Sequence, residues 1–169
     1  TADLVEGLVH WRLWLAMAWH DIRMRYRRSV LGPLWLTISM GVSVAFLGGL
    51  YGTLLKMDLH VYVPFLTLGL LIWGFMQGVI IDGCHVFIYS EHFIKQVRLP
   101  LSTFVFRVVC KNLITMGHNA VVFLVVAIVF QVNPGWNGLL VFPAFALLVL
   151  NSLWIVMLLL PFPYIANTA

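Results

Sequence analysis

Thr103, Arg107, Lys111 and Thr115 recur every four residues, and His118 and Asn119 follow them. On a helix that spacing sets the first four side chains on one face. The stretch around them is apolar, and hydrocarbon penalises a central charge by roughly 2.5–3.5 kcal/mol. Two arrangements satisfy such a stripe. Arg107 and Lys111 can lie in the first turns and snorkel to the membrane surface, or the stripe can face the interior of a helix bundle. Snorkelling is the expectation for Arg107. His118 and Asn119 lie deeper and are expected to face inward as a hydrogen-bonded pair, with a ligand site as the alternative.

Other reactive groups are scattered. Asp82 ends an uncharged run and reads as a rim carboxylate more readily than as a proton relay. Cys84 and His85 are adjacent, and His92 follows seven residues on. That spacing is weak for a metal site, and a solvated or headgroup-facing loop is expected. Cys84 and Cys110 make no disulfide framework and are expected as free thiols. The phosphate-binding pattern G-x-x-x-x-G-K-[ST] needs Gly before Lys, and none of Lys56, Lys95 or Lys111 follows Gly. ATP hydrolysis by that route is excluded. H-E-x-x-H and C-x-x-C are also absent, so no catalytic and no metal-binding residue is assigned.

The elements that hold these residues are membrane spans. Of 169 residues, 62% are hydrophobic and 9% charged, with a mean hydropathy of +1.00. Soluble domains are nearer half apolar and one-quarter charged, which excludes a soluble enzyme or a DNA-binding domain. Four spans are expected, at about residues 31–55, 61–81, 103–131 and 139–160, joined by a link at 82–102. Asn133-Pro134-Gly135 is a turn signal between the last two. The fold class is an all-α polytopic transmembrane helical bundle: residues 1–28 form an interface helix and 29–169 the transmembrane domain. No signal peptide is expected, since arginines precede the first apolar run and no small-residue cleavage site follows it. The chain opens on Thr1 and not Met, as a fragment would.

Positive charge sets the expected orientation. Arg12, Arg23, Arg25, Arg27 and Arg28 precede the first span, and Lys95, Arg98, Arg107 and Lys111 surround the long link. Lys56 alone lies on the other side. The bias makes the N-terminus and the 82–103 link cytoplasmic.

Within residues 1–28, Leu4, Leu8, Trp11, Leu15, Trp19, Ile22 and Tyr26 share a helical face. The other face is mixed, because Met17 and Met24 interrupt His20, Asp21 and Arg27. Such a helix lies in the inner interface, with Arg23, Arg25, Arg27 and Arg28 near lipid phosphates; packing against a soluble partner is the alternative. Gly41, Ala45 and Gly49, Gly48 and Gly52, and Gly74 and Gly78 repeat every four residues, which favours close helix packing. Phe46, Tyr51, Trp73 and Phe75 are lipid-facing or packed, or could line a sugar path by ring stacking.

The run Asp21-Ile22-Arg23-Met24-Arg25-Tyr26-Arg27-Arg28-Ser29-Val30-Leu31-Gly32-Pro33-Leu34-Trp35 resembles the segment before the first span in ABC-2-type permeases of polysaccharide export. Ile94-Lys95-Gln96-Val97-Arg98-Leu99-Pro100-Leu101-Ser102, followed by Arg107-Val108-Val109 and Asn112-Leu113-Ile114, is similar to that family's cytoplasmic link and third span. His118-Asn119 before an apolar run resembles its lipopolysaccharide and O-antigen branch. The likeness covers about residues 10–155. It implies six spans in the intact protein, a bacterial inner-membrane location and a homodimeric permease. It also implies separate ATPase subunits that carry ATP and Mg, so the chain itself has no cofactor and is not an enzyme. The substrate implied is a lipid-linked polysaccharide of the O-antigen, capsule or teichoic acid class. Contact with the ATPase falls to the interface helix and the link, here Glu91, His92, Phe93, Lys95 and Arg98. Phe46, Tyr51, His118 and Asn119 are candidates for a substrate path. The uncharged tail Pro161–Ala169 departs from the family's basic turn and two further spans. Membrane lipid is an expected partner and nucleic acid is not. The rival readings are a membrane enzyme acting on a lipid-linked sugar through Asp82, His85 or His118, and a scaffold subunit without a transport path.

Overall fold

A computed structural model describes residues 7, 9–25, 34–96, 101–133 and 135–159. Five α-helices follow one another: α1 (Trp11–Arg25), α2 (Leu34–Leu55), α3 (Leu59–Gln96), α4 (Leu101–Val129) and α5 (Val141–Leu159). A 3-10 helix over Trp136–Leu140 leads into α5. Among the described residues there is no strand. Four helical stretches are long and apolar enough to cross a membrane: Leu34–Leu55, Leu59–His85, Ser102–Val129 and Gly138–Leu159.

The short connections close by backbone chemistry. Lys56 takes a left-handed conformation (φ 50°) just past α2, and Gln131 does the same past α4. The Val132 N–H reaches back to the Ala127 carbonyl at 2.9 Å, so a chain reversal satisfies an end carbonyl of α4. Asp58 Oδ1 accepts from the His60 N–H at 2.9 Å. The His60 ring then meets Phe130 edge-on, 5.4 Å between centroids, and ties the α2–α3 connection to the end of α4.

α4 is the centre of the bundle and packs against each of the other four helices. Its buried side chains join two clusters. Phe104, Val105, Val108 and Val109 meet Phe75 and Val79 of α3 and Val156 of α5. Val126 meets Val44 of α2 and Val63 of α3. Most other large apolar side chains face outward, as they do where lipid is the solvent.

Two sequence expectations change here. The helix of the second span does not stop at Asp82. α3 continues to Gln96, a length of about 57 Å, against a hydrocarbon core of about 30 Å. The uncharged run ends at Asp82, but a charge with a partner does not break a helix. The small-residue pairs also divide. Gly52 lies against Leu59 and Gly48 against Val63, at the α2–α3 crossing. A Cβ placed at Gly41, Gly49 or Gly74 would meet no other helix within 4 Å among the described residues, so close packing does not account for them there.

Candidate functional site

Polar chemistry concentrates where α1, α3 and α4 meet. Arg107 points at α1: its Nε donates to Asp21 Oδ2 and its Nη2 to Asp21 Oδ1, both at 2.7 Å. This two-bond fork matches the planar guanidinium to the carboxylate. The side chains are only 18% and 26% exposed. Arg107 lies in the first turns of α4, as the snorkelling expectation has it, and its head is paired with Asp21.

One turn along α4, Lys111 Nζ lies 2.7 Å from Asp82 Oδ2, and both side chains are 17% exposed. Asn112 Nδ2 donates to the same oxygen at 2.8 Å and to the Val108 carbonyl at 3.0 Å. Asn112 reaches α3 because residue 78 is glycine. A Cβ at Gly78 would run into Asn112 Oδ1. Asp82 is thus a paired carboxylate, 14 residues before the end of α3.

Depth follows from helical rise. The contact of His60 with Phe130 gives a reference level. Asp82 lies about 33 Å from it along α3, and Lys111 about 29 Å along α4. In a hydrocarbon layer of about 30 Å that begins at that level, both would sit near the opposite edge, with Arg107 just beyond. His118 lies about 18 Å from the same level, near the middle of such a layer.

There α4 meets α2. Thr37 Oγ1 donates to the His118 carbonyl at 3.3 Å. His118 Nδ1 bonds the Ile114 carbonyl at 2.9 Å, within its own helix. Asn119 Oδ1 is buried without a partner among the described residues. The expected His118–Asn119 pair does not form, because consecutive helical residues do not face each other. Phe46 and Tyr51 lie on the exposed side of α2. Phe46 is about 14 Å along that helix from Thr37, so the four path candidates are not gathered at one point. Phe75 is packed in the core, whereas Trp73 is exposed.

Among the described residues, the packed face of α1 shares only Ile22 with its apolar stripe. Trp14, Met17, Ala18, Asp21 and Ile22 turn toward α4, with the Trp14 ring 5.8 Å from Phe106. Trp11, Leu15 and Trp19 remain exposed beside Arg12 and Arg23. Asp21 supplies the reason: its ion pair fixes the rotation of the helix. The Arg25 backbone ends α1, while Arg27, Arg28 and Arg98 lie outside the described residues. Glu91, His92, Phe93 and Lys95 ride on the last two turns of α3.

Cys84 and Cys110 are free thiols. Among the described residues no three His, Cys, Asp or Glu side chains gather as metal ligands would. Asp82 and His118 do not converge either, since His118 lies about 10 Å beyond Lys111 along α4.

The chain is similar to the O-antigen export system permease protein RfbA of Myxococcus xanthus. The two are 24% identical over 149 residues, which is 88% of this chain and 57% of that protein. The chain thus spans little more than half the length of the curated relative it matches. No protein-family model matches it, and no solved structure does.

Sequence reasoning missed Asp21 and Asn112 as partners of the stripe. A signal for the α3–α4 pairing existed. Counted outward from residues 97–100, Asp82 and Lys111 lie 15 and 11 residues away, within about one turn of the same depth.

Proposed function

We propose that this chain is the permease subunit of an ABC exporter in a bacterial inner membrane. It moves a lipid-linked polysaccharide of the O-antigen, capsule or teichoic acid class, works as two copies, and is driven by a separate ATPase. The observation that carries the reading is the similarity to an O-antigen export permease over 88% of the chain. Four membrane-length helices agree with it. In this reading the N-terminus is cytoplasmic, and the Asp21–Arg107 and Asp82–Lys111 pairs mark the inner membrane edge. The exposed Trp11, Leu15 and Trp19 with Arg12 and Arg23 suit headgroup depth. The last turns of α3 extend about 20 Å past that edge, within reach of a soluble ATPase. His118 and Asn119 remain candidates for the path.

The test is co-purification with a soluble ATPase whose turnover depends on this chain. The isolated chain should hydrolyse no ATP. Robust hydrolysis by the chain alone would overturn the assignment.

A further inference from the structure

Hydrogen-bond donors with nothing to bond gather where α1 crosses the start of α4. The Trp14 ring meets Phe106, while Asp21, two turns further along α1, meets the adjacent Arg107. α1 therefore crosses α4 steeply, over its first turns. Thr103 precedes Phe106 by three residues and Arg107 by four, so it neighbours both on the surface of α4. Thr103 is fully buried, and so is Ala18 of α1.

Three groups there carry hydrogens and lack an acceptor. Thr103 Oγ1 and Trp14 Nε1 are buried without a partner among the described residues. Arg107 spends Nε and Nη2 on Asp21, and its Nη1 makes no bond among the described residues. Buried polar groups left unsatisfied are costly. The indole and the guanidinium can only donate, so a group with several acceptor oxygens answers all three. Charge points the same way. Thr103 is the third residue of α4, where backbone N–H groups have no carbonyl of their own helix and carry partial positive charge. α4 has no acidic residue in its 29. Asp21 is the single acid of α1, and Arg107 takes both of its oxygens.

We propose that the crossing of α1 and α4 binds a phosphate group, with Thr103 Oγ1, Trp14 Nε1 and Arg107 Nη1 donating to its oxygens at the N-terminus of α4. A helix N-terminus with added side-chain donors is a common seat for phosphate. Depth names the source. In the layer reckoned from the His60–Phe130 level, Arg107 falls at the depth of headgroups, and Thr103 lies one turn farther from the hydrocarbon. The phosphate is that of a lipid headgroup; free phosphate from the aqueous side shares the chemistry and is separated below. The proposal needs the membrane-spanning helices and is independent of the export reading.

Thermal unfolding of the full chain in uncharged detergent tests it, with dihexanoyl phosphatidic acid, dihexanoyl glycerol or inorganic phosphate added at equal ionic strength. The phosphatidic acid should raise the melting temperature, and the same lipid without phosphate should not. Thr103→Val removes a donor and keeps the shape, and Trp14→Phe removes a donor and keeps a ring. Without ligand both should fold as the parent does, since an unsatisfied donor is what they lose. Each should need about tenfold more phosphatidic acid for half the effect. Equal responses in the parent and both variants, or no response in the parent, overturn the site; donors bridged by water alone give the second result. An equal response to inorganic phosphate keeps the phosphate site and overturns the headgroup as its source. Amide hydrogen exchange over residues 11–25 and 101–107 of the parent should slow with phosphatidic acid. That readout needs no variant, and unchanged exchange overturns the site as well.

Discussion

Asp21 and Arg107, 86 residues apart in the chain, are joined by two hydrogen bonds of 2.7 Å each. That fork seats α1 on α4 in a fixed rotation, and it turns a helix read as membrane-lying into one with a protein face and a lipid face.

Arg107→Lys keeps the charge but can make only one of the two bonds. Hydrogen bonds to charged groups contribute about 1.5–3 kcal/mol each when shielded, and this pair is partly exposed. Amide hydrogen exchange over residues 11–25 should accelerate by about tenfold, with the spans unchanged. Equal protection in the variant and the parent would show that apolar contacts alone seat α1.

Asp82 and Lys111 are worth more broken than absent. Removing one partner of this partly buried pair leaves an uncompensated charge, at a cost below the roughly 3–5 kcal/mol of a fully buried one. Asp82→Asn or Lys111→Met alone should lower the melting temperature in detergent more than the two changes together. Additive losses would contradict a direct pairing.

Gly78→Ala should destabilise the protein, because the new methyl meets Asn112 and displaces it from Asp82. Gly74→Ala one turn away meets nothing within 4 Å and should be neutral or gain up to about 1 kcal/mol from helix propensity. Thermal unfolding of the two variants side by side decides it.

The contrast between those glycines shows what the sequence made legible. Spans, their number and the polar stripe on α4 follow from charge-free runs and a four-residue repeat, because hydrocarbon constrains composition strongly. The partners of the stripe do not follow, since helix rotation depends on which carboxylate comes within reach. Asp21 looked like part of a mixed polar face, and Met17 like a blemish on it. Both belong to the packed face. Residues such as Gly48 and Gly74 share a pattern but not a neighbour, and pattern alone cannot tell them apart.

Topology is open to chemical labelling. Single cysteines at Ser90 and Asn137, with the native cysteines removed, should react oppositely in intact cells. An impermeant thiol reagent should label position 137 and spare position 90. The reverse result would invert the proposed orientation.

Coupling to the ATPase is expected at the end of α3. Phe93→Ala or Glu91→Lys should lower export and substrate-stimulated ATP turnover by roughly tenfold or more, since loss of a central interface anchor costs about 2 kcal/mol. Membrane levels of the protein should stay normal. Wild-type export by both variants would reduce this segment to a topology signal.

Both carboxylates that hold α4 precede it in the chain. A ribosome makes Asp21 first and Asp82 next, and only then Arg107 and Lys111. When the two cations reach the bilayer edge, their counter-charges are already waiting there. A nascent chain halted before residue 101 lacks the Arg107 that holds Asp21, so the fork between α1 and α4 forms only after the central helix has been made.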